Sequence, residues 1–270
     1  SVVRPHVGVI TAVGPVHLEL VGTVERVAQA KAELLAWLPE GGTAVVPAHA
    51  PELEPHLPRE RVELVRFGEG GDVVLERFDP PALDARVGEE RVELEVPFTA
   101  LHQAHNTLAA LAAYRALGLP LERAAEGASG IAISPWRCED VELPGGGLLV
   151  NDVYNANPAS MVAALDHLRR RAAGGRTIAV LGGMAELGEE SPRYHREVAE
   201  EARVDVLVAV GEAAREYLGA PAGERHWVET TEEAAALVRT LLRPGDAVLV
   251  KASRAYGLEA VADEILAVTA

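Results

Sequence analysis

The chain has 270 residues, 49% of them hydrophobic, which is sufficient for one large domain or two ordinary ones. Its formal net charge of −16 argues against nucleic acid or an anionic membrane as a partner, since both require a basic field, and no apolar stretch is long enough for membrane insertion. The single cysteine, Cys138, excludes an internal disulfide framework and fits a reducing compartment, so we expect a cytoplasmic protein.

The first half of the chain mixes buried and half-solvated strand patterns. The runs HVGVITAV and TAVVP predict buried strands, and TVERVAQAKAELLAWL between them predicts a helix. The pieces RVELVRF, DVVLERF and RVELEVPF alternate apolar and polar residues, which predicts antiparallel strands with one solvated face. The segment HQAHNTLAALAAYRALG predicts a helix that ends at Gly118.

The second half alternates strand and helix patterns. Apolar runs in LLVNDVY, TIAVLGGM, VDVLVAVG and DAVLVKAS predict strands that are covered on both faces, and helical segments lie between them. Asn157 and Ser191, each followed by proline, predict helix N-caps. The alternation predicts a parallel, doubly wound sheet. A composition break at ISPWR (133–137) separates the halves, and we place the two domains at 1–134 and 135–270.

A cluster of polar side chains follows the strand LLVNDVY. Ligands of open α/β sheets bind beyond the carboxyl ends of the strands. Asp152 could accept a hydrogen bond from a ribose hydroxyl, and Asn155 and Asn157 could orient a carboxylate or phosphate. Alternatively, Asp152 is a turn acid and Asn157 only a helix cap, and for Asn157 alone we favour the cap. The whole cluster exceeds what one turn needs, which favours a functional role.

The end of the last strand pattern, KASR, carries Lys251, Ser253 and Arg254. Two cations there suit an anionic substrate, although a solvated strand end explains them equally well. The segment LGGMAELG resembles a phosphate-binding turn but contains neither G-x-G-x-x-G nor a GK[ST] loop. As a nucleotide signal it is weak.

Lys31 occupies an unusual position in the first long helix pattern. Helical spacing places it inside an apolar stripe, which consists of Val24, Val27, Ala28, Leu34, Leu35 and Leu38. Snorkelling is the usual explanation of such a lysine. A neutral amine can also add carbon dioxide and form a metal-binding carbamate, which an arginine cannot do, and the chain retains only two lysines. His17, one loop earlier, is a candidate metal ligand, although a lone histidine is more often structural.

The order of six motifs resembles that of the Mur ligases of peptidoglycan synthesis. The motifs are VGVITAVGPVHLELVGTVERVAQAKAEL, HQAHNTLAALAAYRALG, WRCEDVE, NDVYNANPASMVAAL, LGGMAELGEESPRYH and VLVKASRAYGLEAV. Within the family, the YNANP stretch is similar to the branch that adds D-Ala-D-Ala. The resemblance implies an α/β fold that comprises the remainder of a central ATP-binding domain and a Rossmann-like C-terminal domain.

The resemblance also implies a reaction. The carboxylate of UDP-N-acetylmuramoyl tripeptide would take the γ-phosphate of ATP, and the amine of D-Ala-D-Ala would then displace phosphate from the acyl phosphate, with ATP and Mg²⁺ as cofactors. We expect a monomer. The family's roles fall on ten residues: His17 and a carbamylated Lys31 at magnesium, Asn106 at the adenine, Arg137 at the phosphates, Asp152 and Asn155 at the ribose turn, and Asn157, Lys251, Ser253 and Arg254 toward the incoming amine.

Some features depart from the family pattern. Gln103 replaces a usual asparagine, Gly183 replaces a common aspartate, and no GK[ST] loop is present. The family carries that loop and its UDP-binding domain before the matching region, so we expect this stretch alone to be inactive. The alternatives are another Mur ligase, a folylpolyglutamate-synthase-like ligase, or a non-catalytic nucleotide-binding module. A nicotinamide-dependent dehydrogenase is disfavoured because the G-x-G-x-x-G motif is missing.

Overall fold

The computed structural model describes residues 4–58 and 60–269. They form two compact units. The first comprises residues up to Pro15 together with Val21–Ala132, and the second comprises Val16–Leu20 together with the chain from Ile133 onward. The main division therefore lies two residues before the predicted boundary, and the membership of Val16–Leu20 in the second unit has no counterpart in the sequence pattern.

The first unit is built on a mixed six-stranded sheet in the order β1-β2-β3-β4-β5-β6. Its strands are β1 Val7–Val9, β2 Gly42–Pro47, β3 Val62–Phe67, β4 Val73–Asp79, β5 Ala82–Val87 and β6 Glu90–Glu95. β1 to β4 are parallel neighbours, whereas β4, β5 and β6 pair antiparallel. The expectation that β3 is antiparallel was wrong, because its alternating pattern reports a solvated face and contains no information on strand direction.

Three helices complete the first unit. They are α2 Val24–Ala36, α3 Leu101–Ala116 and α4 Ala124–Ala128; α1, a single turn at Leu18–Val21, precedes them. The Thr23 hydroxyl caps α2 by accepting from the Arg26 N–H, and α2 then packs against β2 and the following segment around Leu53. α3 packs along β1 to β5. Its predicted end is confirmed, since Gly118 follows the C-cap residue with a positive φ of 69°.

The second unit contains a six-stranded sheet in the order β11-β10-β9-β12-β8-β7. Its strands are β7 Glu139–Leu143, β8 Gly147–Asp152, β9 Thr177–Gly182, β10 Val206–Val210, β11 Glu224–Val228 and β12 Ala247–Lys251. All neighbours are parallel except β7, which is antiparallel to β8. The four predicted strands are confirmed. The two edge strands, β7 and β11, were not predicted because their sequences, EDVEL and ERHWV, are largely polar.

Helices cover both faces of the second sheet. They are α5 Pro158–Arg171, α6 Ser191–Glu201, α7 Thr231–Leu241 and α8 Glu259–Thr269. α7 and α8 share one apolar cluster with alternate residues of the strands, such as Ile178 and Val180. The intervening residues, such as Ala179 and Leu181, are equally buried, and α5 packs against β8, β9 and β12. The prediction of a doubly wound α/β fold is therefore confirmed.

Ser191 does not cap α6. Its backbone is already helical, with φ −50° and ψ −49°, because the 3₁₀ turn Gly188–Glu190 leads directly into the helix. Glu190 occupies the cap position and its side chain makes no capping bond. The predicted cap at Ser191 was wrong for this reason.

Among residues 4–58 and 60–269, none of the helices combines the length and the apolar character that a membrane span requires.

Candidate functional site

The turn after β8 is organised by a capping box. Asn157 begins α5 as its N-cap: its Oδ1 accepts from the Ser160 N–H at 2.9 Å, and the Ser160 hydroxyl accepts from the Asn157 N–H at 3.0 Å. The predicted cap is confirmed. A substrate contact by Asn157, which stays a prediction, would use the amide nitrogen or the remaining lone pair of the amide oxygen.

Asp152 forms a buried ion pair with Lys251. The two residues are direct partners in the β8–β12 register, and the Lys251 Nζ lies 2.6 Å from the Asp152 Oδ2. Lys251 is only 1% exposed, and its ammonium also donates to the Asn155 carbonyl at 2.9 Å. The alternative of a solvated strand end was therefore wrong for Lys251. A charge buried this deeply requires its partner, because an uncompensated ammonium would be costly.

The second oxygen of Asp152 is also engaged. Its Oδ1 accepts from the Cys138 N–H at 3.1 Å. Burial, and next to it the Asp152 carboxylate, raise the pKa of the Cys138 thiol far above its ordinary value, so this cysteine is neutral and not a nucleophile. Asp152 thus ties the segment before β7 to the end of β8, while each oxygen retains a lone pair that could accept from a ligand hydroxyl.

Ser253 joins the ends of three strands. Its hydroxyl accepts from the Ala185 N–H at 2.9 Å and donates to the Ala156 carbonyl at 3.3 Å. Its own N–H donates to the Gly183 carbonyl at 3.1 Å. Ser253 follows β12, Ala185 follows β9 and Ala156 follows β8, so one buried hydroxyl fixes the carboxyl edge of the sheet at its centre.

Two arginines stack on aromatic rings near this edge. The Arg137 guanidinium lies 3.9 Å from the centre of the Tyr154 ring, and the Arg254 guanidinium lies 4.4 Å from that of Trp136. The Tyr154 N–H donates to the Trp136 carbonyl, which links the two stacks. Both arginines are exposed, and Arg254 is also paired with Glu259 at 3.2 Å; a guanidinium is the side chain best suited to bidentate binding of an anion. Trp136 was not recognised as part of the site from the sequence.

His17 also lies in the second unit, where it contacts the loop after β9. Its Nδ1 is bonded to a carboxylate oxygen of Glu186, and the Glu19 N–H donates to the Glu186 carbonyl at 3.0 Å. Glu186 was not predicted as a site residue. The two positions are 169 apart in the chain, so only the fold reveals the contact.

The second unit therefore brings together seven of the ten predicted residues around one sheet edge, and it also holds His17. The seven are Arg137, Asp152, Asn155, Asn157, Lys251, Ser253 and Arg254.

Lys31 and Asn106 belong to the first unit. Lys31 is half-buried beside Val27 and Leu35, and its Nζ donates to the Ala12 carbonyl at 2.8 Å. Burial lowers the pKa of the Lys31 amine, which increases its unprotonated fraction. Asn106 lies on α3 with its side chain exposed. The partly unprotonated amine of Lys31 is compatible with a carbamate, and the exposed amide of Asn106 is compatible with contact to an adenine. Both roles stay predictions.

The donors available for magnesium are limited. Mg²⁺ prefers oxygen ligands, and in the part of the chain that the structure describes no group of three His, Cys, Asp or Glu side chains is placed to hold a metal. His17 offers nitrogen, and Lys31 offers oxygen only as a carbamate. Lys31 therefore fits magnesium only if it is carbamylated.

Comparison with known proteins identifies the family. The model of the Mur ligase middle domain matches residues 1–114, and that of the Mur ligase glutamate ligase domain matches residues 136–254. A UDP-N-acetylmuramoyl-tripeptide–D-alanyl-D-alanine ligase of Mycobacterium tuberculosis is 33% identical over 99% of this chain. That alignment covers 59% of the relative, so the chain spans less than two thirds of its length.

Solved structures agree with these matches. MurF from Acinetobacter baumannii superposes with a TM-score of 0.88 at 28% identity, covering 98% of this chain and 60% of that one. MurF from Thermotoga maritima, solved in complex with ADP, gives a TM-score of 0.86 at 29% identity, covering 98% and 62%. The matching domains, the relatives and the shared fold agree along the chain, which therefore belongs to the Mur ligase family.

Proposed function

We propose that this chain is part of an ATP-dependent ligase that joins D-Ala-D-Ala to UDP-N-acetylmuramoyl tripeptide in peptidoglycan synthesis. Such a reaction contributes to cell shape and division, and we place it in the cytoplasm, in a monomeric protein. The observation that carries the proposal is the turn DVYNANP, whose Asp152 is fixed by Lys251 at the carboxyl edge of a doubly wound sheet. Relatives that are named for this activity match the chain over nearly its whole length.

The proposed reaction has two steps. The tripeptide carboxylate attacks the γ-phosphate of ATP, which forms an acyl phosphate and releases ADP. The amine of D-Ala-D-Ala then attacks the acyl carbon, forms the amide and expels phosphate. Negative charge collects on phosphoryl oxygens and on the tetrahedral oxyanion, so fixed cations are the stabilising groups this chemistry requires.

The nucleotide contacts are assigned residue by residue. We assign the adenine to Asn106, the ribose to Asp152 with Asn155, and the phosphates to Arg137. Arg137 is suited to this role because its guanidinium is exposed and its stacking on Tyr154 limits its motion.

The incoming dipeptide would be bound through its carboxylate. Arg254 is the exposed cation after the end of β12, and we assign the carboxylate to it, with Asn157 as a second assigned contact. Lys251 and Ser253 are too deeply buried to reach a substrate directly, so we assign them the support of the turn and the loop that bind it.

Lys31 and His17 are the proposed magnesium-site residues. A carbamate on Lys31 would supply oxygen, and magnesium, when bound, would neutralise charge on the transferring phosphoryl group. The lowered pKa of Lys31 supports this assignment, since carbamate formation needs the unprotonated amine.

An acceptor panel tests the proposal. The full-length protein is incubated with ATP, magnesium and UDP-N-acetylmuramoyl tripeptide, and ADP release is measured with D-Ala-D-Ala, D-Ala, diaminopimelate or glutamate. We expect release with D-Ala-D-Ala alone. Release with glutamate on a folate substrate would support the folylpolyglutamate-synthase-like alternative. Nucleotide binding by calorimetry without turnover on any acceptor would indicate a non-catalytic module.

A further inference from the structure

His195 is a buried histidine whose two ring nitrogens have different backbone partners. It lies on α6 with a side chain that is 0% exposed. Its Nδ1 lies 2.7 Å from the Ser191 carbonyl, with the Ser191 hydroxyl at 3.3 Å, and its Nε2 lies 3.0 Å from the Met184 N–H. A carbonyl only accepts and an amide N–H only donates. The ring is therefore neutral, with its proton on Nδ1.

Met184 lies in the loop 183–187, and the two residues after it contact site residues. It follows β9, and its neighbour Ala185 donates its N–H to the Ser253 hydroxyl. The next residue, Glu186, contacts His17. His195 thus holds the first of three consecutive residues, and the other two make the bonds to Ser253 and to His17.

We propose that neutral His195 is a positioning residue: by accepting the Met184 N–H, it fixes the loop 183–187 at the carboxyl edge of the second sheet, and its protonation releases that loop. The inference rests on the proposed function only in that this edge serves the ligase reaction. A protonated ring would present an N–H to the Met184 N–H, so the bond would be lost and two donors would face each other.

The surroundings of His195 favour its neutral form. Burial lowers its pKa from the ordinary value of 6.5, and the Ser191 carbonyl and the Glu216 carboxylate oppose this shift. Glu216 is itself paired with Arg196 at 3.0 Å, and the Tyr217 ring packs 5.2 Å from the imidazole. Because the folded-state pKa is depressed, the contribution to stability is complete above about pH 6.5 and is lost as the pH falls from there through the folded-state value.

Two variants separate the contacts of the ring. His195→Gln places a carbonyl oxygen near the position of Nε2, so it can still accept the Met184 N–H and does not titrate. His195→Asn extends only as far as Nδ1, so it can keep the Ser191 contact but leaves the Met184 N–H without an acceptor. A residue that acts only through its Ser191 contact would give the opposite order, because His195→Asn keeps that contact and His195→Gln loses it.

Hydrogen exchange of the Met184 amide, read by NMR at pH 7.5, tests the proposal without ligase activity. We expect wild type and His195→Gln to differ by less than about threefold, and His195→Asn to exchange at least about tenfold faster, which corresponds to loss of one hydrogen bond. The ¹⁵N shifts of the wild-type imidazole should show a protonated Nδ1 and an unprotonated Nε2. Lowering the pH toward 5 should accelerate Met184 exchange in wild type more than in His195→Gln, after correction for intrinsic exchange.

Equal Met184 exchange in wild type and His195→Asn would overturn the proposal. If the variants do not fold, the wild-type ¹⁵N spectrum alone decides, because a proton on Nε2 contradicts it. The acceptor panel is independent of these readouts. If Met184 exchanges as expected but the full-length protein does not ligate D-Ala-D-Ala, the proposed function is refuted and the role of His195 stands.

Discussion

Lys251 and Asp152 pair across the β12–β8 register, with 2.6 Å between the lysine Nζ and the carboxylate Oδ2, in a place from which solvent is almost completely excluded. The pair determines how the site edge can be tested. Removing either charge leaves the other buried without compensation, so a loss of function in such a variant includes a loss of stability.

Replacement of Lys251 by methionine should destabilise the second unit by about 3–5 kcal/mol, because Asp152 would stay buried without its counter-ion. Arg254→Met, three residues later, is the matched control. Its guanidinium is exposed and lies 3.2 Å from the partly buried Glu259, a pair that contributes about 1 kcal/mol or less. Unfolding in urea is followed by tryptophan fluorescence in a Trp37→Phe background. Trp37 lies in the first unit, so the remaining signal comes from Trp136 and Trp227 of the second unit. Equal costs for Lys251→Met and Arg254→Met would contradict the buried pair.

Asp152→Asn retains the shape of the side chain and removes its charge. If Asp152 accepts from the ribose, the KM for ATP should rise about ten- to a hundredfold, since a hydrogen bond to a charged group contributes about 1.5–3 kcal/mol. The KM for D-Ala-D-Ala should change less. Asp246→Asn is the control, because Asp246 is also buried and ion-paired, with Arg176, but it precedes β12 at the opposite edge of the sheet. A KM for ATP that rises equally in both variants would assign the effect to stability.

The Tyr256 side chain fills the space beside Gly183. A Cβ at Gly183 would lie 2.0 Å from the Tyr256 hydroxyl and 2.5 Å from Cζ, so any side chain at position 183 requires Tyr256 to move. Gly183→Ala should cost about 1–3 kcal/mol, the range of overpacking. The cost should fall substantially in a Tyr256→Ala background, whereas Gly219→Ala, with nothing within 4 Å, should be near neutral. Thermal unfolding of the four variants measures the coupling, and additive costs would refute it.

The sequence predicted the elements of the second unit better than their contacts. Strands β8, β9, β10 and β12 were predictable because central parallel strands are buried on both faces and are therefore apolar throughout. Edge strands such as β11 are half-exposed and lack this pattern. The Lys251–Asp152 pair depends on which strands are neighbours, and nothing local to either motif indicates that β12 lies beside β8.

The same limit applies to the remaining site residues. Asn157 could be predicted as a cap because capping is local and proline follows it. The contact of His17 with Glu186 and that of His195 with Met184 join separate motifs through the loop after β9. The predicted cap at Ser191 was wrong because a 3₁₀ turn precedes α6, and the sequence does not distinguish such a turn from a loop.

Lys31 offers a direct test of the carbamate. With ¹³C-labelled bicarbonate, the wild-type protein should show a lysine carbamate signal in the ¹³C NMR spectrum that increases with pH, because the unprotonated amine fraction increases. Lys31→Arg should lack that signal and, in the full-length protein, should lose ligase activity as completely as Lys31→Ala. Short carboxylic acids such as formate should restore some activity to Lys31→Ala. Full activity in Lys31→Arg would show that Lys31 acts only as a positive charge.

The transfer of a labelled oxygen tests the central claim most directly. UDP-N-acetylmuramoyl tripeptide labelled with ¹⁸O in its terminal carboxylate is incubated with ATP, magnesium, D-Ala-D-Ala and the full-length protein, and the released phosphate and the peptide product are analysed by mass spectrometry. Because the carboxylate oxygen that attacks the γ-phosphate leaves with it, each new amide bond should be accompanied by one phosphate carrying one ¹⁸O. Amide formation with unlabelled phosphate would contradict the acyl phosphate route, and labelled phosphate that appears with another amine but not with D-Ala-D-Ala would contradict the assigned substrate.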